Sequence, residues 1–120
     1  MFKVRMYRDA SGYSPVADFL TKLSDKAHTD KSSRIRLAKI YRCFTLLEVH
    51  GTRIGLPTTR HIEDDIWELR PTNDRLFFAY WKEGMFIILH HYVKKSQKMP
   101  RQELEQVRRN LVDFLKRSEG

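Results

Sequence analysis

Cysteine is almost missing from this chain. Cys43 stands alone, so no intrachain disulfide and no cysteine-based metal site can form, and a reducing cytosol fits best. A glycine-rich phosphate loop, an HExxH zinc helix and a nucleophile elbow are also lacking, which turns the reading away from nucleotide-dependent and metal-dependent enzymes and predicts no cofactor. No window is long and apolar enough to span a bilayer. The opening Met1-Phe2-Lys3-Val4-Arg5 alternates charge with apolar residues where a signal peptide has an unbroken apolar stretch. The expectation is therefore a soluble, cytoplasmic protein with no membrane partner. Repeats, low-complexity tracts and linkers are absent as well, so residues 1–120 read as a single domain.

What is present is a foldable composition with a strong charge bias. Apolar residues make up 41% of the chain and aromatics 12%, spread along its length, which is not how a disordered segment is composed. Twenty-three Lys and Arg against fifteen Asp and Glu give a net charge of +8, so a polyanion, nucleic acid first, is the partner to consider.

Residues 2–7 alternate with the period of a half-buried strand, placing Phe2, Val4 and Met6 on one face. Ser14-Pro15 is a helix start, and Phe19, Leu20 and Leu23 carry that helix's apolar stripe. A longer helix is predicted from Asp30 to Val49 on Leu37, Ile40, Tyr41, Phe44 and Leu47, with no acidic residue between Lys31 and Leu47. His50-Gly51 ends it. Ile35 falls with Lys31, Lys39 and Arg42 on the face opposite the stripe, which marks a candidate partner surface.

Beyond Gly55 and Pro57 the period changes to two. Strands are predicted over 60–62, 66–70, 75–81 and 85–93, the last apolar on both faces and hence interior. Trp67 and Leu69 share one face, Glu68 and Arg70 the other. Trp67 and Trp81 read as core anchors. Pro100 opens a final helix on Leu104, Val107, Leu111, Phe114 and Leu115. The sum is an α+β fold, a mostly antiparallel sheet with two N-terminal helices and one C-terminal helix.

Three basic clusters fall at three strand ends: Arg70 beside Glu68, Arg75 after the turn, and Lys94, Lys95 and Lys98 beyond the last strand. A meander brings these ends together as a cationic patch. Such a patch suits cleavage of RNA without metal, in which the 2′-hydroxyl attacks the adjacent phosphate and fixed cations neutralise the growing charge. Arg75 is expected to be exposed there. Glu68, His90, His91 or a lysine are the available acids and bases, and the sequence does not separate them. His90 and His91, adjacent on a strand, must point to opposite faces and cannot chelate one ion. Blander readings exist for each residue: Glu68 and Arg70 as a surface ion pair, the lysines as a solvated run guarding a sheet edge.

At these residues the chain resembles the phage-derived HigB-like branch of the RelE/ParE toxin superfamily. Ile66-Trp67-Glu68-Leu69-Arg70, Arg75 with its aromatic strand, and Val93-Lys94-Lys95-Ser96-Gln97-Lys98-Met99-Pro100 carry the likeness. It covers about residues 2–116 in element order. The resemblance implies a RelE-like fold and a toxin of a type II toxin-antitoxin system, a ribosome-dependent, metal-independent mRNA endonuclease that inhibits translation. Its implied partners are mRNA on the ribosome, a helix-turn-helix (HigA-like) antitoxin, and operator DNA bound through the toxin-antitoxin complex.

By position, Arg75 matches the arginine that contacts the scissile phosphate in RelE-type toxins, Lys95 a basic residue after the last strand, and Arg70 with Lys98 basic positions of the HigB-like branch. Glu68 and His91 complete the candidate catalytic set, and Lys94, Arg101 and Arg108 are candidate RNA contacts. Two departures matter: Ile66 and Glu68 stand where RelE has lysines, and the terminal tyrosine of RelE has no clear equivalent after Lys98. A ParE-like toxin that binds DNA gyrase without catalysis, and a nuclease-inactive nucleic-acid or antitoxin-binding module, remain as alternatives, since fold alone does not choose between them.

Overall fold

The computed structural model describes residues 1–118. Its elements run β1 (Lys3–Met6), α1 (Pro15–Ala27), α2 (Lys31–His50), a 3-10 turn over Gly51–Ile54, β2 (Thr59–Glu63), β3 (Ile66–Leu69), β4 (Asp74–Tyr80), β5 (Met85–Val93) and α3 (Arg101–Ser118). The α+β architecture expected from the sequence is present, with element ends displaced by a residue or two.

The helix starts follow from capping. Ser14 Oγ accepts the Ala17 amide at 3.1 Å ahead of Pro15, and the Asp30 carboxylate accepts the amides of Ser32 and Ser33; each satisfies N–H groups that have no partner within the helix. Gly51, at φ 60°, ends α2, a conformation open to glycine because it lacks a Cβ.

Strands β2 to β5 form the antiparallel meander, and β5 returns beside β1, which it pairs in parallel, giving the order β1-β5-β4-β3-β2. Both sheet faces are covered, so β4 is buried from Asp74 to Ala79. On one face α1 and α2 supply Val16, Leu20, Leu23, Ile40, Phe44 and Leu47 against Leu69, Leu76, Phe78 and Ile88. On the other, Val107 of α3 packs with Ile66, Phe77, Ile87 and Leu89.

Two residues assigned to helix stripes from their spacing lie outside the core. Tyr41 is 49% exposed and Leu115 38%. In α2 the buried stripe runs through Ile40, Cys43, Phe44 and Leu47, and Tyr41 lies just beyond its width, touching Phe44 with its ring edge-on at 6.0 Å. In α3 burial is confined to Val107 and Asn110. Among the described residues no helix is long and apolar enough to cross a membrane.

One irregularity decides which side chains reach which face. Phe77 pairs with His90 but Phe78 with Ile88, so Leu89 is an extra residue in β5. Such a bulge puts two consecutive side chains on one side and reverses the alternation beyond it. Leu89, His90 and Tyr92 accordingly face α3, and His91 faces α1.

Candidate active site

The α3 face of the sheet carries the cationic patch. Arg60 on β2 pairs in register with Glu68 on β3, and Glu68 with Phe77 on β4. Arg75, two residues before Phe77, shares its parity and pairs with Tyr92. Glu68 thus lies in a row of side chains that runs through Phe77 to His90, with Arg75 one step along the strand.

Glu68 is 4% exposed. Burial pushes its carboxyl above the usual range, against the opposing pull of Arg75, Arg70, Arg60 and Lys94. Arg70 Nε lies 3.5 Å from Glu68 Oε1, and this buried nitrogen has no hydrogen-bond partner among the described residues. A buried donor with no hydrogen-bond partner is uncommon in folded proteins, and the nearby Glu68 carboxylate offsets part of its cost by charge.

Arg75 is not exposed as its strand-end position suggested; it is 6% exposed. Its Nη1 donates to the carbonyl oxygens of Thr72 and Asp74, in the turn that precedes it. The short four-residue connection folds its backbone over the side chain, so the guanidinium is held by the protein before any ligand arrives. It still lines a groove of about 530 Å³ with Asn73, Lys94, Lys95, Ser96 and Gln97. Lys95 and Lys98 are exposed, and Lys94 is half-buried.

The other candidates are placed differently. His91, counted with this patch from sequence, is on the opposite face because of the Leu89 bulge. There its Nε2 donates to Asp74 Oδ1 at 2.8 Å, and its ring stacks on Phe19 at 3.6 Å. Arg36 of α2 donates to both oxygens of the same carboxylate, at 3.0 and 2.7 Å. Burial alone would raise the Asp74 carboxyl, but these hydrogen bonds hold it at about 2. His90 is the imidazole on the patch face, with Nε2 3.3 Å from Glu103 Oε2. Arg108 is bound through Nε and Nη2 to both oxygens of Glu63, at 2.8 and 2.5 Å, so its charge is matched within the fold. Arg101 is 93% exposed and pairs with Glu105 along the helix. Arg60 escaped the sequence reading; the parity of a β2–β3 hairpin was the signal that would have found it.

Among the described residues no three His, Cys, Asp or Glu side chains are grouped to hold a metal ion. The site consists of a buried carboxylate ringed by four cations beside an open basic groove, an arrangement suited to proton transfer next to a bound phosphate.

A five-stranded, mostly antiparallel sheet with two helices between its first and second strands and one after its last is the RelE-like architecture. The model of a family described as phage derived protein Gp49-like (DUF891) matches residues 18–112. The chain belongs to this family, a phage-derived family of RelE/ParE-like toxins, and that membership implies an antitoxin partner. No curated protein matches the chain.

Proposed function

We propose that this protein is a HigB-like mRNA interferase, a toxin that cuts mRNA on the ribosome without a metal and is neutralised by a helix-turn-helix, HigA-like antitoxin, with which it also binds operator DNA. The observation that carries the reading is Glu68, a buried carboxylate with a raised pKa, set among Arg60, Arg70, Arg75 and Lys94, of which Arg75 and Lys94 line the basic groove.

In this reading the groove holds the scissile phosphate. The 2′-oxygen bonds to phosphorus while the Glu68 carboxylate takes its proton, and the bond to the 5′-oxygen breaks as that oxygen is protonated. The products are a 2′,3′-cyclic phosphate and a 5′-hydroxyl end. Arg75 and Arg70 face the phosphorane oxygens, where fixed donors stabilise charge that develops only in the transition state. A carboxylate fits the base role because burial brings its pKa nearer to working pH. His90, on this face and in the Glu68 row, supplies the proton to the leaving oxygen. Lys94, Lys95 and Lys98 hold the flanking strand by charge.

Primer extension on transcripts from expressing cells, with a gyrase supercoiling assay on the same preparation, tests the reading. Cuts within translated frames, lost in Arg75→Ala and Glu68→Gln, are the expected result. Inhibited supercoiling with intact transcripts would overturn it in favour of the ParE-like alternative.

A further inference from the structure

A second recess lies at the other end of the sheet, on the α1/α2 face, where the end of β4 and the start of β5 meet the end of α2. Its volume is about 520 Å³, within the range of small-ligand sites. Phe2, Trp67, Tyr80 and Phe86 form its walls, and His50 and Arg53 line it as well, with no carboxylate among the lining residues. Phe86 is buried, but Tyr80 is 48% exposed. The Phe2 and Tyr80 rings meet Phe86 at 5.2 and 5.5 Å.

The recess is formed before any ligand arrives. Phe2 is tied to α2 by its amide, which donates to the Glu48 carbonyl at 2.7 Å. Its ring also lies so close to Gly51 that a Cβ there would come within 2.9 Å. The Tyr80 hydroxyl accepts the Gly84 amide at 3.0 Å, fixing that side chain to the β4–β5 turn. Trp67 is braced between Phe78 and His61, at 6.4 and 5.0 Å. Phe2 and Trp67 pack against the core with one side, and Tyr80 is the ring with the largest exposed surface.

Aromatic walls alone would suit a cation, but Arg53 and His50 disfavour one and favour an anion. A planar base with an attached phosphate satisfies both parts: the base stacks on the rings and the phosphate meets the guanidinium. We propose that this recess is an accessory RNA site that takes one unpaired nucleobase, stacked against Tyr80 and Trp67, with its phosphate at Arg53. The site rests on the reading of RNA as substrate, but it is separate from the Arg75 groove, being at the opposite end and face of the sheet. A strand held at both would have its position fixed relative to the cut.

Trp67 reports on the recess directly once the second tryptophan is removed by Trp81→Phe. In that background a short oligoadenylate RNA is expected to quench Trp67 fluorescence. Tyr80→Ala should weaken the binding about tenfold or more, and Arg53→Glu should weaken it and lower its dependence on salt. Arg75→Ala, which tests the cleavage site, should leave the quenching intact. Both Tyr80 and Arg53 are at the surface, and circular dichroism of each variant checks that it is folded. Absence of quenching by RNA, or unchanged affinity in both variants, would overturn the proposal. So would quenching by an acidic phenylalanine-containing peptide but not by RNA, which would make the recess a protein-docking site. Loss of cleavage with quenching retained supports the recess as an independent site, while cleavage retained in Arg75→Ala with quenching lost in Tyr80→Ala overturns the active-site reading alone.

Discussion

His91 donates to Asp74 across 2.8 Å, joining the end of β5 to the start of β4 on the face away from the cationic patch. Arg36 closes the same carboxylate from α2. Asp74 is also the residue before Arg75, and its carbonyl accepts from the Arg75 guanidinium. The buried cluster therefore anchors the backbone that orients the arginine.

Acid should reveal this anchor. The Asp74 carboxyl is held at about 2 against an ordinary 3.8, so the ionised cluster contributes its full stability above pH 3.8 and loses it as pH falls toward 2. Linkage sets that contribution at about 2 kcal/mol. Asp74→Ala leaves Arg36 without its partner in a half-buried site and should cost about 3–5 kcal/mol in urea unfolding at pH 7. The gap to the parent protein should narrow between pH 4 and pH 2.

Glu68→Gln should separate activity from stability. Removing a general base costs about 10²- to 10⁴-fold in rate, and the rising limb of the pH–rate profile should vanish with the carboxylate. Because burial raises the Glu68 pKa, its ionised form costs stability as the pH rises through that value. Thermal unfolding at pH 8 should therefore show Glu68→Gln melting above the parent, with the difference lost in acid. A lower melting temperature at pH 8 would contradict the assignment.

Arg75→Ala should reduce cleavage by about 10²- to 10³-fold, as loss of one fixed oxyanion donor does. Since Arg75 is buried and bonded to the Thr72 and Asp74 carbonyls, the substitution should also destabilise the fold by about 1–3 kcal/mol. Arg75→Lys should recover only part of either property, because lysine keeps the charge but not the planar fork. Single-turnover cleavage and urea unfolding on the same preparations check both.

Basic residues should sort by whether the fold already matches their charge. Lys95→Ala and Lys98→Ala should each weaken RNA binding and reduce the salt slope by about one unit or slightly less. Arg108→Ala should leave both nearly unchanged, because Glu63 occupies its guanidinium. Filter binding across a salt series distinguishes them.

Ile35 is 45% exposed and lines a recess of about 610 Å³ with Lys31, Arg36 and Val93. If antitoxin covers this surface, Ile35→Asp should weaken the complex about tenfold or more with cleavage by the free toxin unchanged, as isothermal titration and transcript cleavage would show. Unchanged affinity would place the antitoxin elsewhere.

The amino-acid pattern determined the layers of this protein. Period-two alternation at Phe2 to Tyr7 and Ile66 to Arg70, the capped start at Ser14-Pro15 and the long stripe through Ile40, Phe44 and Leu47 are local signals, and each is set by the geometry of its own element. They also placed Glu68, Arg70 and Arg75 near one another, since a meander with short turns leaves few alternatives. Tertiary structure decided the rest. The Leu89 bulge exchanged the faces of His90 and His91, and one unpaired residue in a ladder leaves no mark in composition or period. Whether Arg75 is open or enclosed depended on where the carbonyls of Thr72 and Asp74 fold back, and Arg108 met Glu63 only because α3 packs across the sheet. Such contacts join residues far apart in the chain or fixed by a single turn's path, and their energies depend on burial that no isolated segment possesses.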